Sequence, residues 1–180
     1  MSTPSLGSIT TVPALERPDL LAPPVAGALA TWEHAGAVGV VEIDPAVADT
    51  AALAAAYAIG MDTGANCVVV AGRRDGEERT AACLVRADTR ADVNGLVKRL
   101  LDVRKCSFLP MDRAVAESGM EHGGITPVGL PPEWRLLLDA RVAAMDVAVV
   151  GSGVRRSKLL VPGRLLALLP GAEVVDGLAG

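Results

Sequence analysis

Residues 66–86 read NCVVVAGRRDGEERTAACLVR and decide how the fold is built. Two apolar runs, Asn66–Ala71 and Thr80–Arg86, have the length and composition of strands. The polar segment between them contains Asp75-Gly76, a dipeptide that favours a tight turn because both residues tolerate positive φ. The stretch therefore predicts a β-hairpin, the clearest such signal in the chain.

Strands and helices are mixed on both sides of this hairpin. Further strands are predicted at residues 37–43, 106–109, 135–138, 147–150, 159–161 and 173–175. Helices are predicted at residues 25–33, 44–60, 92–101, 112–118 and 162–169. Because adjacent strands are often joined by short turns, the pattern predicts an α+β domain around a mixed, largely antiparallel sheet, and not a doubly wound parallel one.

Length and composition indicate how the chain is organised. A chain of 180 residues fits one compact domain, and 51% hydrophobic with only 2% aromatic residues predicts an aliphatic core. Residues 1–24 are rich in Ser, Thr and Pro, and we expect a flexible N-terminal arm there. Residues 25–180 are expected to form a single domain.

Composition also narrows the classes of function. No apolar stretch reaches the roughly 20 residues of a membrane helix, and the N-terminus lacks a basic signal segment, so we expect a soluble cytoplasmic protein with no membrane partner. Cys67, Cys83 and Cys106 lack metal-ligand spacing, which predicts buried, reduced thiols and no metal or cofactor. The net charge of −4 argues against bulk electrostatic binding of nucleic acid, but it permits contact with a tRNA end alone.

The segment Gly119–Gly129, which reads GMEHGGITPVG, is the strongest candidate for a binding loop. Adjacent glycines at 123 and 124 let the backbone approach a ligand closely and present N–H donors. Pro127 would stiffen the loop, so those donors need little reorganisation on binding. From spacing alone, an ordinary surface loop explains the pattern at least as well.

The run Gly123–Gly129 resembles the Gly-Gly-x-Ser-Pro-x-Gly loop of the YbaK/ProX family. That family comprises free-standing deacylases and the editing domain inserted in many bacterial prolyl-tRNA synthetases. The similarity continues in order from about residue 59 to residue 175. The other matching segments are the two hairpin strands, residues 92–105, Leu138-Asp139, Val150–Gly153 and Val161-Pro162.

This resemblance implies a mixed fold around a curved sheet with surrounding helices. It also implies hydrolysis of the ester between a tRNA 3′ end and a wrongly attached small amino acid such as Ala or Cys. No side-chain nucleophile is implied, because backbone N–H groups hold the substrate and the tRNA's own hydroxyl positions water. Gly123 and Gly124 are then the expected catalytic donors, with Thr126, Pro127 and Gly151 as expected substrate-binding residues. A synthetase is a further candidate partner.

Three polar residues complete the expected substrate-binding set. Asn66 stands where the family typically has a lysine that is thought to hold the terminal phosphate or the substrate. Asn66 can form hydrogen bonds but carries no charge, so its contact with a phosphate is weaker. It is equally well explained as a residue that only begins a strand. His122 adjoins the loop and is a candidate base or amine ligand, although the family pattern does not require it. Asp139 is a candidate to orient substrate, or it simply ends a strand. Ser118 and Ser152 have no His–Asp partners that indicate a serine-hydrolase triad.

Three hypotheses of function follow from these residues. The leading one is editing in trans, in which the protein hydrolyses a mischarged tRNA. The second is a catalytically inactive binding module of the same fold, which Asn66 and the acidic net charge favour slightly. The third is a hydrolase of another small ester, against which the absence of a nucleophile counts.

Overall fold

The computed structural model describes residues 3–180, which form nine strands and six α-helices. The strands are β1 (Val12–Pro13), β2 (Gly39–Glu42), β3 (Ala65–Arg74), β4 (Glu77–Arg86), β5 (Cys106–Phe108), β6 (Arg135–Asp139), β7 (Ala148–Gly151), β8 (Ser157–Val161) and β9 (Ala172–Val175). The helices are α1 (Pro23–Thr31), α2 (Thr50–Tyr57), α3 (Lys98–Leu101), α4 (Met111–Ser118), α5 (Ala140–Ala143) and α6 (Gly163–Leu166). Within the described range, no helix is both long enough and apolar enough to cross a bilayer.

The strands form two sheets. One has four strands in the order β1-β2-β8-β7, and every neighbouring pair is antiparallel. The other has five strands in the order β5-β3-β4-β6-β9, antiparallel around the hairpin and parallel from β4 through β6 to β9. The predicted class, α+β with largely antiparallel pairing, is confirmed. Two sheets replace the one that was expected, because apolar periodicity marks strands without indicating their partners.

The predicted hairpin is confirmed and is longer than expected. β3 and β4 pair over ten residues each, from Ala65 opposite Arg86 to Arg74 opposite Glu77. The turn consists of Asp75 at φ 52° and Gly76 at φ 85°, the two positive values of a tight hairpin turn. The strands therefore continue past their apolar runs, β3 through Arg73 and Arg74 and β4 from Glu77 to Arg79.

The strand β4 is buried on both faces. Ala82 and Leu84 pack into the largest hydrophobic cluster, which includes residues of both sheets. Ala81, Cys83 and Val85 pack on the opposite face, beneath Val97 and Leu101 of the 93–101 helical segment. A central strand covered on both sides reads as a continuous apolar run, which is the pattern of residues 81–85.

The N-terminal segment differs from the flexible arm that the sequence predicted. In residues 3–24, β1 pairs with β2, and Leu20 and Ala22 are buried in the main core. The N–H of Ala22 donates to the carbonyl of Ser152 at 3.1 Å, and Ser157 Oγ donates to the carbonyl of Leu20 at 2.5 Å. Its Ser, Thr and Pro content thus accompanies a packed segment with short 3-10 turns. Residues 1 and 2 of the predicted arm lie outside the described residues.

The predicted helices form, several of them shorter than expected. Asp44 accepts a hydrogen bond from the N–H of Ala46 as predicted, but it caps only a 3-10 turn, and the α-helix α2 begins at Thr50. Asp92 caps the next helical segment by accepting from the N–H groups of Gly95 and Leu96, and the first turn, Val93–Val97, is π-helical. Gly119 at φ 68° ends α4, as expected for a glycine in the left-handed region.

The cysteines behave as the sequence predicted. All three are free thiols, Cys83 and Cys106 are buried, and Cys67 is partly buried. Burial raises the pKa of the Cys83 thiol to about 12. These side chains therefore act as small apolar groups of the core.

Candidate functional site

A cavity of about 330 Å³ lies where the two sheets meet. Gly64, just before β3, forms a parallel bridge with Val149 of β7, so the two strands run side by side at this point. The cavity is lined by the first residues of β3, by β7, by α2 and the turn before it, and by the loop at residues 122–125. Its wall is largely aliphatic, and it includes Leu53, Ile59, Val68, Ile125, Val149 and Val150.

The glycine loop at residues 122–125 is held by backbone hydrogen bonds against a second glycine turn, at residues 151–153. The N–H of Glu121 donates to the carbonyl of Gly153 at 2.8 Å, and the N–H of Gly153 donates to the carbonyl of Gly124 at 2.8 Å. A Cβ at Gly151 would lie 2.4 Å from the carbonyl oxygen of Gly124, and one at Gly124 would lie 2.9 Å from backbone atoms of Gly153 and Val154. Both turns need glycine because their backbones are in direct contact.

The two adjacent glycines of the loop have different roles in the structure. Gly123 is exposed, lines the cavity and adopts φ 76°. Gly124 is buried, and its N–H donates to the carbonyl of Glu121 at 2.9 Å. The structure therefore differs from the expectation of two free donors, since the Gly124 N–H is already used within the loop.

The available N–H donors belong to Gly123 and Ile125. Both residues line the cavity, and neither N–H has an acceptor among residues 3–180. Ile125 is a donor that the sequence did not indicate, because the side chain says nothing about its backbone N–H. The loop thus offers two unengaged amides on either side of the structural amide of Gly124.

Asn66 lines the cavity near the start of β3. Its Oδ1 accepts a hydrogen bond from Thr50 Oγ1 at 2.9 Å, which ties α2 to β3. This contact orients the side-chain amide while leaving its NH₂ group as a donor. The position predicted from the family pattern is therefore part of the cavity, with an amide in place of a cation.

His122 and Gly151 also line the cavity. His122 is exposed at the mouth, and its carbonyl accepts from Arg155 Nη1 at 3.4 Å. The guanidinium of Arg155 lies over Gly123, where a Cβ would approach Nη1 to 2.4 Å. Four predicted residues, Asn66, His122, Gly123 and Gly151, are therefore brought together.

The remaining predicted residues do not line this cavity. Thr126 is fully buried behind the loop, and its Oγ1 has no hydrogen-bond partner. Pro127 lines a different, apolar cavity of about 480 Å³ that also contains both tryptophans. Neither residue therefore lies where a ligand in the first cavity would contact it.

Asp139 has a structural role at the end of β6. Its carboxylate caps α5 by accepting from the N–H of Arg141 at 2.9 Å, and it accepts from the N–H of Ala179 at 2.9 Å. Burial acts to raise the pKa of this carboxyl group, but hydrogen bonds from the side chain and backbone of Arg141 and from Ala179 outweigh it and lower the pKa. The second explanation offered by the sequence, a residue that ends a strand, fits this geometry.

The two candidate serines are also engaged in the fold. Ser118 Oγ donates to the carbonyl of Ala114 at 2.6 Å, and Ser152 Oγ lies 2.7 Å from Ser157 Oγ. Both side chains are buried, and neither lines the cavity. Residues 3–180 contain no cluster of three His, Cys, Asp or Glu side chains able to hold a metal ion.

Lys158 is a further cavity residue that sequence reasoning missed. It lies on β8 opposite Gly151, it is only 8% exposed, and it lines the cavity. Burial lowers its pKa, Arg155 lowers it further, and the carboxylate of Asp49 opposes both effects. The available signal was its position within the apolar run of residues 157–161, where a solvated lysine is out of place.

One protein family matches most of the chain. The model of the aminoacyl-tRNA editing domain family matches residues 44–168, which is well over half of the chain and contains all residues that line the cavity. No curated protein matches significantly.

Solved structures share the fold. A protein described as a candidate trans-editing enzyme for prolyl-tRNA synthetase is 24% identical, with a TM-score of 0.73 over 86% of this chain and 94% of that one. A hypothetical protein is 22% identical, with a TM-score of 0.69 over 78% of this chain and 90% of that one. A scaffold used for computational grafting of linear epitopes is 25% identical, with a TM-score of 0.71 over 86% of this chain and 94% of that one. With the family match over residues 44–168, the chain belongs to the aminoacyl-tRNA editing domain family.

Proposed function

We propose that this protein acts in trans in the cytoplasm, as one editing domain, and hydrolyses the ester between a tRNA and a wrongly attached small amino acid. Family membership supports the substrate class. The single observation that carries the proposal is the pair of unengaged N–H groups, on Gly123 and Ile125, at an aliphatic cavity. Donors held in place before the substrate arrives are what stabilisation of a developing oxyanion requires.

The chemistry needs no side-chain nucleophile. Water adds to the ester carbonyl carbon, and the carbonyl oxygen becomes an oxyanion that accepts hydrogen bonds from the Gly123 and Ile125 N–H groups. The carbon–oxygen bond to the ribose then breaks, and the ribose oxygen leaves with a proton that the attacking water supplied. A neighbouring hydroxyl of the terminal ribose positions that water. One well-placed donor is worth about 3–4 kcal/mol to such a step.

Cavity size supports a small amino acid as cargo. The volume of about 330 Å³ has to hold both the terminal ribose and the aminoacyl group. Leu53, Ile59 and Val149 form an apolar wall against which a small side chain packs. One methylene changes discrimination by only about 1–3 kcal/mol, so neighbouring small amino acids such as Ala and Cys both remain substrates.

Some of the other predicted residues contact the substrate, and the rest hold the loop in shape. Asn66 and His122 both line the cavity and offer hydrogen bonds to the substrate, and Gly151 leaves room beside the loop. Gly124, Thr126 and Pro127 hold the loop in place from behind. A synthetase that delivers the tRNA would compensate for the acidic net charge of this chain.

A binding module without catalysis is the second candidate function. The absence of charge at Asn66 favours it, because an amide makes a weaker contact to an anionic substrate than a lysine does. Such a protein would bind the tRNA 3′ end and leave the ester intact.

The test is deacylation of a panel of mischarged tRNAs by the wild type, Gly123→Pro and the control Gly177→Pro. Proline removes the N–H and cannot adopt the positive φ of either glycine (76° and 68°), and Gly177 lies outside the cavity with no atom near its Cβ position. We expect Gly123→Pro to lose about 10²–10³-fold in kcat, as for one oxyanion donor, and Gly177→Pro to stay active. Binding without release by the wild type would favour the binding module, and neither binding nor release would refute both functions.

A further inference from the structure

Lys158 is an unusual residue for the interior of this protein. The chain has only three lysines, and the other two, Lys98 and Lys105, are partly exposed and exposed. Lys158 is 8% exposed and belongs to β8, in which all five residues, Ser157–Val161, are buried. Lysine is almost never buried without a partner of opposite charge.

No such partner is present in the described chain. Among residues 3–180, no carboxylate lies within ion-pair distance of Lys158. The carboxylate of Asp49 attracts it from beyond ion-pair distance, whereas Arg155 repels it. Arg155 forms no ion pair either; its guanidinium bonds the carbonyls of His122 and Pro45 at 3.4 and 3.3 Å. Asp49, which also lines the cavity, is therefore the carboxylate that acts on Lys158, and it forms no ion pair with it among residues 3–180.

The cavity supplies the explanation, because Lys158 lines it. A buried charge that lacks a protein counterion is stabilised when a ligand supplies one. The last nucleotide of an aminoacyl-tRNA has two charged groups, the ammonium of the amino acid and the phosphodiester on the 5′ side of the terminal ribose. Only the phosphodiester is an anion when the amino acid has a neutral side chain.

We propose that Lys158 is the phosphate-binding residue of this cavity and holds the phosphodiester of the terminal nucleotide from β8. This assignment rests on the proposed function. Asn66, which also lines the cavity, then acts as a neutral hydrogen-bond donor held by Thr50. In this chain the lysine of the cavity is therefore on β8, and the first residues of β3 contribute no charge.

Binding of adenosine 5′-monophosphate and of adenosine tests the proposal without requiring hydrolysis. Calorimetric titrations would compare the wild type with Lys158→Met and with Lys105→Met, which removes an exposed lysine outside the cavity. We expect the wild type to bind the monophosphate at least about tenfold more tightly than adenosine, as for one hydrogen bond to a charged group. Lys158→Met should lose that preference, and Lys105→Met should keep it.

Two further measurements exclude a trivial loss of structure. Methionine is apolar and of similar length, so Lys158→Met should unfold at a temperature equal to or above that of the wild type. The double variant Asn66→Lys/Lys158→Met returns the charge to β3 and should recover the preference for the monophosphate. Recovery would show that the cavity needs one cation and not the lysine side chain as a packing element.

Three results would overturn the proposal. The first is a wild type that binds the monophosphate and adenosine equally well. The second is a Lys158→Met variant that still binds the monophosphate more tightly than adenosine. The third is a Lys158→Met variant that slows release of aspartate from tRNA but not of alanine, since Lys158 would then serve a carboxylate of the amino acid. If the monophosphate preference follows Lys158 but no mischarged tRNA is hydrolysed, the proposed catalysis fails and the phosphate site stands.

Discussion

Replacing Gly151 by alanine should displace the loop at residues 122–125. The added Cβ would lie 2.4 Å from the carbonyl oxygen of Gly124 and 2.8 Å from that of Ile125. Ordinary contact begins near 3.4 Å, so one backbone has to move by about 1 Å (3.4 − 2.4). Both obstructing atoms belong to the main chain, which cannot rotate away as a side chain would.

The magnitude follows from this displacement. Overpacking of a close contact costs about 1–3 kcal/mol in the free energy of unfolding. For a chain of this size each kcal/mol lowers Tm by about 2–4 °C. A 1 Å displacement of the groups that position the substrate costs about 10²-fold in rate, which applies here because Ile125 supplies one of the two free donors. Gly151→Ala should therefore lose both stability and kcat.

Thermal unfolding and single-turnover deacylation measure the two effects, with Gly27→Ala as the matched control. Gly27 lies in α1, where a Cβ meets no atom within 4 Å, so the same substitution should stabilise the protein by about 0.5–1 kcal/mol and leave the rate unchanged. Gly151→Ala with wild-type Tm and wild-type kcat would refute the direct backbone contact between the two glycine turns.

Two further substitutions test single groups. Asp139→Asn should destabilise the protein most at neutral pH. The pKa of Asp139 is lower in the folded state than in the unfolded state. The stability that its carboxylate contributes is therefore fully present above the unfolded pKa of about 3.9 and is lost as the pH falls through the folded pKa. Urea unfolding at pH 7 and at pH 3 checks this, and an equal loss at both would contradict it. Thr126→Val should be neutral or stabilising by up to about 1 kcal/mol, because it removes a buried Oγ1 that has no partner. Ser157→Ala provides the contrast, because the Ser157 hydroxyl donates to the Leu20 carbonyl and its loss should cost about 1–3 kcal/mol. If Thr126→Val were destabilised instead, the Thr126 hydroxyl would have to have a partner.

Local features of the fold could be predicted from the sequence. The hairpin at residues 65–86 depends on two apolar runs and an Asp75-Gly76 turn, all of which are local. The capping of the 93–101 segment by Asp92 and the end of α4 at Gly119 are local in the same sense. The packing of residues 3–24 was not predicted, because its buried side chains, Ile9, Ala14 and Leu20–Ala22, follow no helix or strand period and are covered only by distant parts of the chain.

The candidate site could likewise be predicted only in part from the sequence. The sequence by itself determined which loop to examine and placed Asn66, His122, Gly123 and Gly151 among the candidates, through residue types in a recognisable order. Only the tertiary structure decided that the Gly124 N–H is used internally, that Ile125 supplies a free donor and that Lys158 is buried beside them. The physical reason is that the bonds between the loop and Gly153 fix which loop amides are used, and the packing of the two sheets fixes which face of β8 lines the cavity. Both depend on residues far apart in the chain, whereas residue types along one segment indicate only where to look.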